Sequence, residues 1–193
     1  LLYLPHDLPK SRFESANNWF NNAYRMRLEE IGCQIRTVFD INQLLEVDPE
    51  QVAGVYMGGG NTLRLIENLR VNDVDQLLVR WLNDGVVMYG GSAGAIIWGA
   101  DIYTASEVRK HTPGINIFPE TTFIACHYDE DSLNQVMQRR FAILSHTGKV
   151  IAIPEETGLF YNGTDIKAIG DKEPLVVEHE SKSTLCLDKS NAV

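Results

Sequence analysis

The chain has 193 residues, 44% of them hydrophobic and 22% charged, which suits a folded domain of ordinary size with a substantial core. Its 17 basic residues face 26 acidic ones, a formal net charge of −9 that argues against a nucleic-acid backbone as partner. No apolar run approaches the ~20 residues needed to span a bilayer, and three scattered cysteines without C-x-x-C spacing fit a reducing, cytoplasmic setting rather than a disulfide scaffold.

Short β-like runs alternate with longer helical patterns, which predicts an α/β fold with a mainly parallel sheet in a single domain spanning 1–193. Leu1–Leu4 reads as a strand. Ser11 to Ile31 reads as one amphipathic helix, with Phe13, Trp19, Phe20, Ala23, Met26, Leu28 and Ile31 as its apolar positions and Gly32 at its C-terminus. Strands are expected at Ile35–Phe39 and Val52–Met57, and helices at Asn61–Leu69 and Val74–Leu82. Val86–Tyr89 is a strand that feeds a glycine-rich turn and a helix at Ala95–Trp98. Phe123–Cys126 is a buried strand ending at His127, followed by a helix from about Ser132 to Leu144 and a strand at Val150–Ile153. Leu159–Tyr161 and Ile166–Ile169 flank Asn162-Gly163, the sequence of a type I′ hairpin turn, which explains Asn162-Gly163-Thr164 better than a glycosylation sequon does. Leu175–Val177 and Leu185–Leu187 are the last strand candidates.

Chemistry concentrates at Gly90-Gly91-Ser92-Ala93-Gly94. G-x-S-x-G between a strand and a helix marks a nucleophile elbow, where a tight turn requires small neighbours and exposes the serine hydroxyl above a helix start. A serine needs a base oriented by a third group. Of five histidines, His127 ends a strand at the carboxyl edge, the edge that carries the elbow and where open α/β sheets hold their sites. His146 sits near a helix end, His111 in a polar loop, His179 in a charged tail, and His6 follows the first strand. The acid should close a neighbouring strand: Glu155 or Glu156, which on an extended segment point in opposite directions, with Glu107 and Asp101 as competitors. Asp129-Glu130-Asp131 reads as a helix-start cluster. Cys126 and His127, as strand neighbours, should lie on opposite faces and so should not form a Cys-His pair. Ala93 N–H, directly after the serine, is one oxyanion donor. The glycine run Gly58-Gly59-Gly60-Asn61 can bring a second backbone close to substrate, and it lacks the pattern of a nucleotide-binding loop.

Tyr56-Met57-Gly58-Gly59-Gly60-Asn61-Thr62, Tyr89 to Ala95, Cys126-His127-Tyr128 and Ile153-Pro154-Glu155, in that order, resemble the peptidase E (aspartyl dipeptidase) family of serine peptidases, related to the cyanophycinases. The resemblance implies a three-layer α/β/α sandwich like that of class I glutamine amidotransferases, with a mainly parallel central sheet and here a C-terminal antiparallel hairpin. It also implies hydrolysis of short peptides by a triad mapping to Ser92, His127 and Glu155, with no metal or organic cofactor. The order Ser, His, acid differs from the Ser, acid, His order of α/β-hydrolases. Gly60 and Ala93 become the oxyanion-hole donors, and Asn61, Gly59 and Tyr128 substrate contacts. An N-terminal strand of the family is missing, so residues preceding Leu1 are expected. Aspartyl dipeptidases use an arginine in the loop after the histidine; here that loop is Tyr128-Asp129-Glu130-Asp131, and the next arginines, Arg139 and Arg140, fall inside the following helix. A substrate carboxylate would be repelled there, and a free amino group or basic side chain welcomed. The competing readings are a non-catalytic ligand-binding relative of the fold, a cyanophycinase-like or isoaspartyl peptidase, and a glutaminase, which serine in place of cysteine disfavours.

Overall fold

Strands with apolar side chains on both faces must be covered on both, and the first half of the chain supplies such strands. The computed structural model describes all residues but 7, 132, 180 and 189–193, and it divides into two compact units, 1–95 and 96–193. In the first, β1 (Leu2–Leu4), β2 (Arg36–Thr37), β3 (Gly54–Met57) and β4 (Val87–Gly90) form an all-parallel sheet in the order β2-β1-β3-β4. All of β1 and β3 is buried, as parallel strands require. Register aligns Tyr3 with Tyr56 and Tyr56 with Tyr89, a row of tyrosines across three strands.

The expected helix over 11–31 is helical throughout but not uniform. A 3₁₀ turn at Lys10–Arg12 leads into α1 (Phe13–Phe20), then a π-helical stretch at Asn21–Arg25, then α2 (Met26–Glu30). Phe13, Ala16 and Phe20 are buried, whereas Trp19, Ala23, Met26 and Ile31 are exposed, contrary to the expected apolar stripe. The wider π turns reset the helical phase, so positions counted from Phe13 no longer share a face; beyond Phe20, Leu28 still packs against the Tyr3–Phe20–Tyr56 cluster. Gly32, at φ 85°, ends the helix while Cys33 N–H donates to the Leu28 carbonyl at 2.9 Å. The strand expected over 35–39 is reduced to β2 because it lies at the sheet edge and pairs with β1 alone. Helices α3 (Thr62–Arg70) and α4 (Val74–Asn83) match their amphipathic patterns and bury Leu65, Ile66, Leu69, Leu78 and Trp81.

After α5 (Ala93–Ile96), the second unit places β5 (Thr122–Tyr128) parallel to β6 (Lys149–Pro154), and β9 (Leu175–Glu178) and β10 (Ser181–Thr184) extend that pair antiparallel in the order β10-β9-β6-β5. Helix α6 (Gln135–Ser145) covers it through Phe141 and Leu144 against Phe123, Val150 and Val177; its expected start at Ser132 lies outside the described residues. The helix expected at Ala95–Trp98 is α5, a single turn that starts earlier, because Ile97, Trp98 and Gly99 instead accept backbone bonds from Ile115, Ile117 and Asn116. The strand expected at Leu185–Leu187 is displaced to β10. All of β10 is exposed, so no apolar pattern marks it, and Leu187 forms only an isolated bridge with Ala168. The hairpin is present as β7 (Thr157–Tyr161) and β8 (Ile166–Gly170), but its turn is not a two-residue type I′. Asn162 opens a four-residue loop, its side-chain oxygen accepting from the amides of Thr164 and Asp165 at 3.0 and 2.8 Å, the role asparagine plays at the first position of a turn. The expected α/β class with a mainly parallel sheet and a later antiparallel hairpin is borne out.

Candidate active site

The elbow is a turn with no room for a side chain at Gly90 or Gly94, nor at Gly59 beside it. A Cβ at Gly90 would lie 2.1 Å from the Gly94 carbonyl oxygen, one at Gly94 2.3 Å from the Met57 oxygen, and one at Gly59 2.9 Å from Ser92 Cβ. Ser92 itself stands at φ 50°, left-handed backbone that costs a non-glycine residue about 1–2 kcal/mol. Gly91 N–H donates to Met57 O at 3.0 Å and Ala95 N–H to Ser92 O at 2.9 Å, so β3 and α5 hold the turn from both sides. Because α5 spans only four residues, the helix dipole expected beneath the serine is small, and any oxyanion stabilisation here comes from individual amides.

The glycine run leaves β3 with Gly58 buried and Gly59 and Gly60 exposed, so backbone rather than side chains borders Ser92 on that side. Asn61 is the N-cap of α3: its side-chain oxygen accepts from Arg64 N–H at 2.8 Å. That oxygen is therefore already engaged, and a substrate contact by this residue would fall to its amide NH2.

His127 does not end a regular strand. The β5–β6 register shifts between Ala125 and Tyr128, and His127 sits in this bulge at φ 59° with an exposed ring. Strand alternation, the expected reason to dismiss a Cys126–His127 pair, therefore fails at this point. Cys126 is unsuited for another reason: desolvation, with a lesser contribution from the charge of Glu155, pushes its thiol up to about 12. The His127 Nδ1 shares a short hydrogen bond with Glu155 Oε1. An ionised carboxylate only accepts, so this bond places the proton on Nδ1 and the lone pair of the neutral ring on Nε2.

Glu155 and Glu156 form the tight turn between β6 and β7 rather than the extended segment expected, with Glu156 at φ 63°. The turn is pinned from below: Asp171 N–H donates to Glu156 O at 3.1 Å, and a Cβ at Gly170 would lie 2.2 Å from that oxygen. Asp101 binds His111 Nδ1 at 3.4 Å and the Tyr103 amide at 2.7 Å, while Glu107 accepts from Ser106 Oγ at 3.5 Å. Tyr128 packs beside the second unit's core. Burial, then the charges of Glu130 and Asp129, raise its phenol above the usual range. The acidic run is not at a helix start: Asn134 caps α6, and Asp129 instead accepts from the Asp131 amide.

Within unit 1–95 the structure thus brings Gly59 against Ser92, with Ala93 next in chain, and within unit 96–193 it brings His127 against Glu155. Sequence reasoning missed two supports. Thr104 Oγ donates to the Ile124 carbonyl at 2.5 Å, three residues before His127. The buried Arg140 donates to the carbonyls of Tyr103, Ala105 and Val108 at 2.6–2.9 Å and lies 4.5 Å over the Tyr103 ring. Its place on the apolar face of α6, beside Phe141 and Leu144, was the available signal.

Residues 8–169 match the profile of Peptidase family S51. The chain is 28% identical over 141 residues to peptidase E of Shewanella denitrificans, covering 65% of this chain and 59% of that protein. It is 27% identical over 160 residues to peptidase E of Pasteurella multocida, covering 77% and 67%. The crystal structure of a peptidase from an acI-B1 Actinobacterium superposes with a TM-score of 0.78 at 18% identity, over 98% of this chain and 81% of that one, which shows the shared fold. The chain spans 59% of the length of the first of these relatives. Since the family profile runs from ahead of the first helix into the last strand of the hairpin, the chain belongs to Peptidase family S51.

Proposed function

We propose that the protein hydrolyses short peptides, dipeptides among them, with Ser92 as nucleophile, His127 as general base and Glu155 as the acid that orients it. The observation that carries this reading is the His127–Glu155 hydrogen bond in a chain of this family. Ser92 Oγ attacks the peptide carbonyl carbon as its proton passes to His127 Nε2; the same proton goes to the leaving amine, and water then releases the acyl group by the reverse route. Glu155 keeps the other ring proton on Nδ1 and stabilises the imidazolium. The amides of Ala93 and Gly60 receive the oxyanion, and Gly59, Asn61 and Tyr128 contact substrate. Residues 1–193 would act together as one catalytic domain.

Labelling with a fluorophosphonate probe tests it. The wild type should be labelled at Ser92, and both Ser92→Ala and His127→Ala should lose the label while keeping their melting temperature. An unlabelled wild type that still binds peptides would replace the hydrolase with a binding module. Labelling that survives His127→Ala would remove the base.

A further inference from the structure

The glycines of the elbow are not glycine for one shared reason. Gly90 and Gly94 face backbone atoms at 2.1 and 2.3 Å, which no change of side chain can relieve. Gly91 is different. A Cβ built there meets only Tyr56, with the hydroxyl oxygen at 3.0 Å and ring carbon Cζ at 3.8 Å. Nor does its backbone demand glycine, since Gly91 is not among the glycines with positive φ. Tyr56 alone therefore accounts for the empty side-chain position next to Ser92.

That tyrosine has no room to yield. It is buried, and its ring is packed by Tyr89 at 5.0 Å (stacked), Phe20 at 5.1 Å, Tyr3 at 5.6 Å and Tyr24 at 5.9 Å. The backbone behind it is fixed by register, Tyr56 pairing with Tyr3 on one side and Tyr89 on the other. The next residue, Met57, accepts the Gly91 N–H. A rigid aromatic row thus ends in a hydroxyl set against the residue before the candidate nucleophile.

We infer that Tyr56 is a positioning residue: its hydroxyl is the fixed stop against which Gly91 rests, and it sets where Ser92 sits. This rests on the reading of Ser92 as nucleophile. Gly91→Ala forces a contact tighter than van der Waals, and the turn moves instead of the ring. Tyr56→Phe removes the atom at 3.0 Å and leaves one at an ordinary 3.8 Å.

The test is a double-mutant cycle on the full chain, reading the second-order rate of fluorophosphonate labelling at Ser92, kcat and KM on a dipeptide, and melting temperature. Displacing a reacting group by a fraction of an ångström should cost Gly91→Ala about tenfold in labelling rate and in kcat, with KM little changed. Tyr56→Phe should lose about threefold by freeing the turn. The double variant should match Tyr56→Phe, not the product of the two losses. A Gly91→Ala protein labelled at the wild-type rate would overturn the inference, as would losses that multiply or that follow melting temperature alone. A wild type unlabelled at Ser92 would instead overturn the nucleophile, and this inference with it.

Discussion

Left-handed backbone falls on six non-glycine residues among those described, and three of them are Ser92, His127 and Glu156, next to Glu155. Such conformations persist only where surrounding structure over-determines them, and they concentrate at working sites. Here the surroundings are identifiable: glycine contacts at the elbow, a bulge against β6, and a turn pinned by Gly170 and Asp171. The last of these separates two adjacent glutamates that composition cannot distinguish, since it is Glu155 whose carboxylate shares the hydrogen bond of His127 Nδ1. Glu155→Gln should therefore lower kcat by about 10²–10⁴-fold, because an amide oxygen neither holds the proton on Nδ1 as firmly nor offsets the imidazolium charge. Glu156→Gln should stay within about twofold of wild type. Steady-state rates on one dipeptide decide it: equal losses, or a larger loss at Glu156, would reassign the acid.

At the scale of elements, His6 is a junction. It follows β1, its buried ring bonds to the Val38 carbonyl at 3.1 Å beyond β2 and meets the Phe13 ring of α1, and its own carbonyl accepts from Asn68 of α3 at 2.6 Å. Burial holds its imidazole below the usual histidine range, against smaller opposing effects of the Val38 bond and Asp40. The unfolded chain therefore binds a proton at higher pH than the folded one. Stability from this group is complete above about pH 6.5 and declines as pH falls through the depressed folded value. Urea unfolding between pH 7.5 and 5 should show that decline, with a slope for this group of at most about 1.4 kcal/mol per pH unit, and His6→Gln should flatten it; an unchanged slope would place the titration elsewhere. Elements of this kind also show what sequence can reveal. β1, β3, β5, β6, α3, α4 and the elbow were legible because local patterns of burial, capping and small residues specify them. The edge strands β2 and β10 were not, since they are held by backbone pairing rather than apolar side chains. The π stretch after Phe20 and the bulge at His127 were not either. Each depends on phase or register against a partner that no local window contains, and so the residues of the candidate site could be named while their backbone could not.

On the scale of the whole molecule, specificity is an electrostatic question. The chain carries a net −9, and Asp129, Glu130 and Asp131, all exposed, follow directly on His127 and Tyr128. Glu130 and Asp129 are close enough to raise the Tyr128 phenol, so their field reaches the side chain proposed to contact substrate. Arg140, one of the two nearest arginines downstream, is buried with its guanidinium committed to the carbonyls of Tyr103, Ala105 and Val108, and cannot turn to receive a carboxylate without abandoning them. A dipeptide whose first residue is Asp would bring a second negative charge into that field, whereas Ala or Lys brings only the α-ammonium or adds to it. The difference should appear as a KM about tenfold higher for Asp-first than for Lys-first dipeptides at low ionic strength, equivalent to ~1.4 kcal/mol. It should narrow in 0.5 M salt, where the screening length falls below about 5 Å, while kcat, which the proposed triad of Ser92, His127 and Glu155 would set, changes little. A strong and exclusive preference for N-terminal Asp would refute the electrostatic argument yet leave the proposed triad standing, because the charges argued to select the substrate and the groups proposed to move its proton sit on different residues.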